Sequence, residues 1–284
     1  MKFSYQIKSP ILLRTFLQNN DYSKKTISAI KNNGAIFVNN EPVTVRKQLE
    51  IDDQLDIHLN KEVPSQNLIP YTDSLKILYE DQYLLIVSKP PNQNCAPSRE
   101  HKHHSLVEQV LGYFNQTEQV YNPHIVTRLD RNTAGIVIFA KHGFIHYLMS
   151  KVNIDKRYYC ICYGQIEQEG IINAPIARAP SSIIERRVDK NGKQAKTMFR
   201  CLDRTDQYSL CEVRLLTGRT HQIRVHFKHI GHSLVGDSLY NGLHSQYKHQ
   251  LLRCVQVEFE HPITHENIVV VDRYKAIESI FNMI

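Results

Sequence analysis

The sequence VTRLDRNTAG at residues 126–135 is a polar turn between two apolar segments. The run IVIFA at residues 136–140, which follows it, has the length and composition of a buried strand. Asp130 lies at the centre of the turn, between Arg128 and Arg131. These guanidinium groups should keep its carboxylate ionised, with a pKa below the usual value of about 3.9, and able to act as a nucleophile or base. An aspartate that only caps the turn and forms surface ion pairs is the alternative that this segment leaves open.

A second polar motif, LTGRTHQIRVH at residues 216–226, follows the predicted end of a strand and has helical periodicity. We expect Gly218 to begin this helix. Its buried face would carry Ile223, Phe227 and Ile230. Its polar face would carry His221, Arg224 and Lys228. Such a helix start could meet an anion, although a merely basic surface helix is also compatible with the pattern.

Two tyrosines follow a basic pair in the segment KRYY, residues 156–159. Consecutive side chains on a strand point to opposite faces, so we expect one tyrosine in the core and the other facing a cleft. Tyrosines are common core residues, and the segment alone does not separate this arrangement from a purely structural one.

The sequence contains no spacing typical of a metal site. His221 and His226 are five residues apart and diverge on a helix. The histidines at 101, 103 and 104 have no carboxylate or cysteine at ligand spacing after them, so we predict a solvent-exposed loop. The six cysteines include no C-x-x-C pair, and a chain of this length does not need disulfides. We therefore expect reduced core thiols in a cytoplasmic protein, and no metal.

Apolar runs of strand length recur through the rest of the chain. They are predicted at 75–79, 84–88, 135–140, 158–163, 195–202, 210–216 and 255–260. Ser105 and Glu108 form a capping box that begins a helix reaching about residue 114. Because strands adjacent in sequence outnumber strand–helix–strand alternations, we expect an α+β fold with a mixed, mainly antiparallel sheet.

The chain of 284 residues is 42% hydrophobic and has a formal net charge of +7. Its length predicts about two domains, no apolar run is long enough to cross a bilayer, and the first residues lack a secretory signal. Residues 1–48 hold eight basic and two acidic side chains, whereas the rest of the chain holds 27 and 26. This concentration of charge is typical of a polyanion-binding module, although a solvated basic face would have the same composition.

The basic segment has the pattern of two helices followed by strands. The first helix is indicated by the spacing of Leu12, Leu13, Phe16 and Leu17. Ser23 can cap a second helix over residues 24–32, with Gly34 in a left-handed conformation after it. Strands are predicted at 35–38, 43–45 and 55–59. Residues 61–73 contain two prolines and no periodicity, which predicts a linker.

This order of elements resembles the S4-type RNA-binding domain over about residues 11–60. The resemblance is carried by SK at 23–24, GAIFVN at 34–39 and DQLDI at 53–57. It implies that RNA contacts the basic face of the second helix, formed by Lys24, Lys25 and Lys31. The predicted domains are therefore a small S4-like αα-β domain at 1–60 and a larger domain at 74–284, joined by the linker.

The two polar motifs resemble those of the RluA-like pseudouridine synthases. Residues 126–135 are similar to that family's H-R-L-D-x-x-T-S-G signature, and residues 216–226 match its T-G-R-T-H-Q-I-R-x-H element. Supporting matches follow in the family's order at 87–90, 157–164, 175–176, 192–197, 236–240 and 261–262. The chain departs from the pattern at Thr127, Ala134 and residues 252–254, so hydrogen bonding in the loop and packing under the site should differ from the usual arrangement.

The resemblance implies an RNA pseudouridine synthase that isomerises uridine without a cofactor. Asp130 would be the catalytic aspartate, and Arg224 would pair with it. Tyr158 would stack on the target base and help to remove the proton from its ring carbon, while Arg128 would hold the nucleotide out of its stack. Further RNA contacts are expected from Arg219 and His221.

Two other functions remain compatible with parts of the sequence. One is a non-catalytic S4-type RNA-binding protein, and the other is a glycoside hydrolase, which would need a second carboxylate about 5–10 Å from Asp130. An S4-type domain ahead of such a catalytic domain resembles the arrangement in enzymes that modify large-subunit ribosomal RNA. We therefore favour ribosomal RNA over transfer RNA as the target, and we expect a monomer.

Overall fold

The computed structural model describes residues 1–244, 246–273 and 276–284. The N-terminal unit is a small antiparallel sheet with two helices packed on it. Its strands are β1 Lys2–Gln6, β2 Ile11–Leu12, β3 Ala35–Val38, β4 Glu41–Pro42, β5 Gln48–Leu49 and β6 Gln54–His58. Its helices are α1 Leu13–Asn19 and α2 Lys24–Asn33. The main sheet has the strand order β1, β6, β3, β4, and β2 pairs separately with β5.

Both predicted helices of this unit are present. The Oγ atom of Ser23 accepts a hydrogen bond from the backbone nitrogen of Thr26 at 3.1 Å, which satisfies one of the free donors at the start of α2. Strand β1 was not predicted, because its only signal is the alternation of Phe3 and Tyr5 with polar residues over five positions. It pairs with β6 along its whole length, so the N-terminal residues belong to the sheet.

Two expectations for the N-terminal unit are wrong. Gly34 has a φ of −114° and is not left-handed. A glycine is needed there because a Cβ atom would lie 2.4 Å from the carbonyl oxygen of His58. The strand predicted at 43–45 is absent, since Asn39 and Asn40, with φ of 51° and 69°, form a tight turn whose return strand is β4.

The larger unit is built around one long sheet. Its strands are β7 Ile77–Glu80, β8 Leu84–Lys89, β9 His124–Ile125, β10 Ala134–Ala140, β11 Asp155–Tyr163, β12 Glu169–Asn173, β13 Ile176–Arg178, β14 Arg186–Val188, β15 Lys196–Arg204, β16 Tyr208–Leu215, β17 Leu252–Glu260 and β18 Asn267–Val271. Its helices are α3 Leu106–Gln116, α4 Gly143–Met149, α5 Gln222–His229 and α6 Ala276–Phe281, with a 3₁₀ turn at Ser238–Tyr240. The strand order is β12, β15, β16, β11, β17, β10, β8, β7, while β13 and β14 form a separate hairpin. The predicted α+β fold with a mainly antiparallel sheet is confirmed.

The one parallel pairing described in this sheet joins β10 to β17 and depends on Gly135. Gly135 has a φ of +110°, and a Cβ atom on it would lie 2.1 Å from the carbonyl oxygen of Cys254. No other residue fits this combination of backbone conformation and close approach. The glycine that ends the first polar motif therefore joins the two central strands beneath the turn that carries Asp130.

Aromatic side chains dock the N-terminal unit onto the larger one. The ring of Phe144, on α4, stacks on Tyr22 with centroids 4.5 Å apart and meets Phe3 edge-on at 5.6 Å. Phe3 also stacks on Tyr83 at 5.8 Å. These residues belong to one continuous buried cluster that includes both units, with Tyr83 at its margin. The two sheets are therefore held against each other by a packed apolar interface.

The segment predicted as a linker, residues 61–73, contains no helix or strand but is tied to the larger unit. The carboxylate of Glu62 accepts a hydrogen bond from the backbone nitrogen of Gly143 at 3.0 Å and lies 2.8 Å from Nε2 of His124. Across the same junction Lys151 forms an ion pair with Asp21. The connection is thus fixed at several points.

In the part of the chain that the structure describes, no helix has both the length and the apolar character needed to cross a membrane. All six cysteines are free and buried.

We predict that the substitution Phe144→Ala lowers the free energy of unfolding by about 3–5 kcal/mol, because it empties the interface between the two units. Chemical denaturation of the full chain measures this change. Tyr147→Ala, on the exposed side of the same helix, is the matched control and should change stability by less than about 1 kcal/mol. Equal stability losses in the two variants would contradict the proposed importance of the interface.

Candidate active site

A cavity of about 650 Å³ opens where the turn before β10, the first residues of β11 and the segment before α5 meet. Six of the predicted site residues line it: Arg128, Asp130, Tyr158, Arg219, His221 and Arg224. The other three, Lys24, Lys25 and Lys31, lie exposed on α2 and do not line the cavity. The sequence motifs of the larger unit therefore converge on one cleft, and the predicted basic helix lies outside it.

Lys89 fastens the turn that carries Asp130. This lysine is fully buried, and its Nζ atom donates hydrogen bonds to the carbonyl oxygens of Pro90, Gln93 and Arg131 at 2.8–2.9 Å. Burial lowers the pKa of Lys89 to about 8. Through its hydrogen bonds Lys89 joins the end of β8 to Arg131, the residue directly after Asp130. The sequence analysis did not assign this role to it.

Two threonines stabilise the same turn. Thr127, which stands where the family pattern has a histidine, is buried and its Oγ1 atom accepts a hydrogen bond from the backbone nitrogen of Ile138 at 3.0 Å. Thr133 accepts a hydrogen bond from the Gln250 amide at 3.2 Å. The departure at position 127 is therefore accommodated by a hydrogen bond between the turn and β10.

The carboxylate of Asp130 faces the cavity with its side chain 30% exposed. Its Oδ2 atom lies 3.5 Å from Nη1 of Arg224 and 3.7 Å from Nε2 of His221. Within the described residues, Arg128 and Arg131 place no nitrogen within 4.0 Å of this carboxylate. The arginines that flank Asp130 in the sequence, which were expected to keep it ionised, therefore form no ion pair with it, and Arg224 and His221 are the basic groups beside it.

Arg224 is held from behind by Asp237. Its Nε and Nη2 atoms donate to the two carboxylate oxygens at 2.7 and 2.8 Å, and both side chains are almost completely buried. The guanidinium also lies over the ring of Tyr240, 4.8 Å from its centroid. Burial alone would lower the pKa of Arg224, but the hydrogen bonds and charge of Asp237 raise it. This bidentate ion pair with Asp237 leaves Nη1 of Arg224 directed at Asp130.

His221 adopts a left-handed conformation, with φ 58° and ψ 19°, directly before α5. The helix therefore begins at Gln222 rather than at Gly218, as the sequence suggested. The hydroxyl of Tyr240 accepts a hydrogen bond from the backbone nitrogen of Arg186 and lies 2.8 Å from Nδ1 of His221. The single proton of the Tyr240 hydroxyl is then available to Nδ1 of His221, which favours the histidine tautomer with its proton on Nε2. Burial lowers the pKa of His221, opposed by the nearby carboxylate of Asp130.

A chain of buried hydrogen bonds explains the remaining polar residues of the second motif. The Gln222 amide accepts from the Thr217 hydroxyl and the Arg219 backbone nitrogen, and it donates to the Thr197 hydroxyl at 2.9 Å. Thr197 lies 2.8 Å from Nδ1 of His226. Nε2 of His226 in turn donates to a backbone carbonyl at 2.9 Å. Each side chain in this series of hydrogen bonds has a partner for its donors and acceptors. The series therefore fixes the loop that positions Arg219 and His221.

Tyr158 lines the cavity although it is only 5% exposed. Burial raises its pKa well above 10, and Cys254 and Asp130 act in the same direction. Tyr159, on the opposite face of β11, packs against the cluster that includes Phe281 of α6. Tyr158 therefore borders the cleft and also belongs to the buried core, while Tyr159 is half-buried, so the expected division into one cleft and one core tyrosine is not found in that form.

The histidine-rich loop is only partly as expected. His103 and His104 are exposed, but His101 is half-buried and its Nε2 atom contacts Nη1 of Arg131. His103 also has a carboxylate neighbour, Glu108, at 3.4 Å. Among the described residues, no group of three or more histidine, cysteine or acidic side chains is arranged to hold a metal ion.

Known proteins match both the sequence and the fold. The family model of RNA pseudouridylate synthases matches residues 83–229. The chain is 38% identical over 252 residues to the uncharacterized RNA pseudouridine synthase YjbO of Bacillus subtilis, covering 87% of this chain and 89% of that protein. It is 31% identical over 272 residues to ribosomal large subunit pseudouridine synthase D of Haemophilus ducreyi, covering 87% and 82%. Human RNA pseudouridylate synthase domain containing 1 has a similar fold, with a TM-score of 0.61 at 21% identity over 77% of this chain and 89% of that one.

We predict that the stability of the protein falls as the pH drops below about 6.5, the usual histidine pKa. Burial lowers the pKa of His226, so below that pH the unfolded chain binds a proton that the native chain excludes. His142 and His221 contribute with the same sign. The melting temperature should be lower at pH 5.5 than at pH 7.5, and His226→Gln should narrow that difference. His265→Gln, at an exposed histidine, is the control. If the His226 variant kept the wild-type difference in melting temperature between the two pH values, His226 would not be a source of the pH dependence.

Proposed function

Because the chain belongs to the RNA pseudouridylate synthase family and is an RNA pseudouridine synthase, we propose that Asp130 is its essential carboxylate and that its substrate is ribosomal RNA. The role of Asp130 rests on the position of its carboxylate. This group faces a cavity of about 650 Å³, and its Oδ2 atom lies 3.5 Å from Nη1 of Arg224. A cavity of this size can admit a nucleoside.

The reaction breaks the bond between the sugar carbon C1′ and N1 of uracil and forms one between C1′ and C5. It changes no oxidation state overall and neither gains nor loses atoms, so we propose that it needs no cofactor. A carboxylate can attack C1′ or stabilise positive charge there as the base departs. Arg224 keeps the Asp130 carboxylate directed into the cavity, because Asp237 holds the guanidinium at its other two nitrogens.

The target uridine must leave its stack to reach Asp130, and two cleft residues suit this step. The ring of Tyr158 provides a surface on which the extruded base can stack, and exposed Arg128 at the edge of the cavity can occupy the space that the base leaves. Since burial keeps the Tyr158 hydroxyl protonated at neutral pH, we restrict its proposed role to stacking. Arg219 and His221 complete the proposed RNA contacts of the cleft.

We predict that Asp130→Asn lowers isomerisation by at least about 1,000-fold, since the amide can neither attack C1′ nor balance its positive charge. Tritium release from RNA labelled at C5 of uridine measures turnover, and filter binding measures RNA affinity, which should stay within a few fold. Asp206→Asn, at an exposed turn, is the matched control and should leave tritium release unchanged. Normal release by the Asp130 variant would disprove its role, and no release by the wild type on any RNA would favour a non-catalytic binding protein.

The choice of ribosomal RNA rests on the N-terminal unit and on the relatives. Lys24, Lys25 and Lys31 are exposed on α2, and no ion pair with a carboxylate is found for them in the described ranges. Three cations free on one small helix suit the phosphates of a structured RNA. Two relatives named ribosomal large subunit pseudouridine synthase D, those of Haemophilus ducreyi and Pasteurella multocida, align with 87% of the chain. We therefore propose that α2 holds ribosomal RNA while the cleft acts on a uridine nearby.

Deletion of the gene should remove pseudouridine from defined positions of ribosomal RNA and leave transfer RNA unchanged. Mapping pseudouridines in total RNA tests this, with the wild-type gene restored as the positive control. A copy with Lys24, Lys25 and Lys31 replaced by Gln should restore less modification, whereas Ser28→Gln on the same helix should restore it fully. Loss of pseudouridine from transfer RNA alone would overturn the choice of substrate without affecting the role of Asp130.

A further inference from the structure

Lys156 lines the same cavity as Asp130. It lies on β11 two residues before Tyr158, at a point where the register with β17 shifts. Arg157 pairs with Gln256 but Tyr158 pairs with Cys254, so β17 carries one extra residue there. Such a bulge changes the direction of side chains locally. Here both Lys156 and Tyr158 border the cavity and both interact with Cys254.

The ammonium group of Lys156 has no anionic partner in the described part of the chain. No carboxylate oxygen lies within 4.0 Å of it, and it donates no hydrogen bond to a protein atom. It is nevertheless half-buried, and burial lowers its pKa. A charge that is withdrawn from water without a partner costs stability. A ligand that brings negative charge into the cavity would remove this cost.

The other cations of the cleft differ from Lys156. Arg224 is held by Asp237. Arg131 also lines the cavity and is half-buried, but its Nη1 atom contacts Nε2 of His101. Arg128 and Arg219 are exposed, and Nε of Arg219 already donates to the carbonyl of Gln194 at 3.0 Å. Only Lys156, among the cavity-lining cations described, is at once half-buried and without an acceptor for its protons.

We propose that Lys156 is a catalytic residue that donates a hydrogen bond to a carbonyl oxygen of the target uracil and stabilises its negative charge. The inference rests on the proposed function of the cleft. When the C1′–N1 bond breaks, its electron pair leaves with the base, and the resulting anion shares its charge among N1, C5, O2 and O4. The pair is used again when C5 bonds to C1′; C5 then loses its proton and N1 gains one. The cation is needed only while the base is detached.

The position of Lys156 favours the base over a phosphate as its ligand. Arg128 and Arg219 line the cavity and are exposed to solvent, so the phosphates of the RNA backbone would meet these two side chains. The base is the part of the nucleotide that enters, and it would lie against Tyr158, which neighbours Lys156 on β11 and is itself almost buried. A donor in such a water-poor site stabilises developing charge more strongly than one at the surface.

The test uses Lys156→Met and Lys156→Arg in the full chain, with unmodified large-subunit ribosomal RNA transcripts labelled with tritium at C5 of uridine. In single turnover, the Met variant should be slower by about 100-fold, as for the loss of one charge-stabilising donor. Its dissociation constant for RNA should change by less than about threefold, since no phosphate contact is lost. The Arg variant should recover most of the rate. Lys190→Met, at an exposed lysine outside the cavity, is the control and should match the wild type.

Thermal unfolding separates this role from a structural one. Because Lys156 has no partner to lose, the Met variant should unfold at the same temperature as the wild type or a higher one. A lower melting temperature together with lost activity would overturn the proposal, as would a rate within threefold of the wild type. Weaker RNA binding in proportion to the lost rate would also overturn it, by indicating a phosphate contact. If the wild type is active and only the Lys156 prediction fails, the proposed function stands. A wild type that is inactive on these transcripts overturns ribosomal RNA as the substrate, and one that is inactive on every RNA overturns both proposals.

Discussion

The geometry of the cleft depends on the buried, bidentate ion pair between Asp237 and Arg224. A buried guanidinium needs a compensating charge, and two hydrogen bonds from one carboxylate provide both charge and orientation. Tyr240 covers the same guanidinium and holds His221 through its hydroxyl. Asp237 and Tyr240 come from one short segment, the 3₁₀ turn and the residue before it. Removing Asp237 would release Arg224, and removing Tyr240 would release His221 and uncover one face of Arg224.

Some polar residues of the second motif support the cleft rather than offer a side chain to a substrate. Thr217 and His226 belong to the buried hydrogen-bond chain, and neither lines the cavity. Gln222, the centre of that chain, also fixes the backbone nitrogen of Arg219. A loop with a left-handed residue at its end would not hold one conformation without such restraints. The polar character of the motif is therefore partly a requirement of its fold, since Thr217, Gln222 and His226 serve the hydrogen-bond chain.

The sequence predicted the parts of the fold that depend on local pattern. The helix capped by Ser23 and the buried strand after residue 135 are both found, because capping and apolar runs act over a few residues. It could not predict the partner of Arg224, since Asp237 follows 13 residues later and meets it only through the tertiary fold. The start of α5 was misplaced for the same reason: the contacts of Gln222 with a neighbouring strand decide where the helix begins.

The same geometry separates isomerisation from glycoside hydrolysis. A hydrolase needs two carboxylates that can both reach the substrate, one as an acid and one as a nucleophile or base. Asp237 is the second carboxylate on Arg224, but both of its oxygens accept hydrogen bonds from the guanidinium and its side chain is 1% exposed. It can neither donate a proton to a leaving group nor activate water. Among the described residues that line the cavity, Asp130 is the single carboxylate, surrounded by basic side chains. Such a cleft can stabilise a sugar cation and retain an anionic base beside it, and retention of the base is what an isomerase requires.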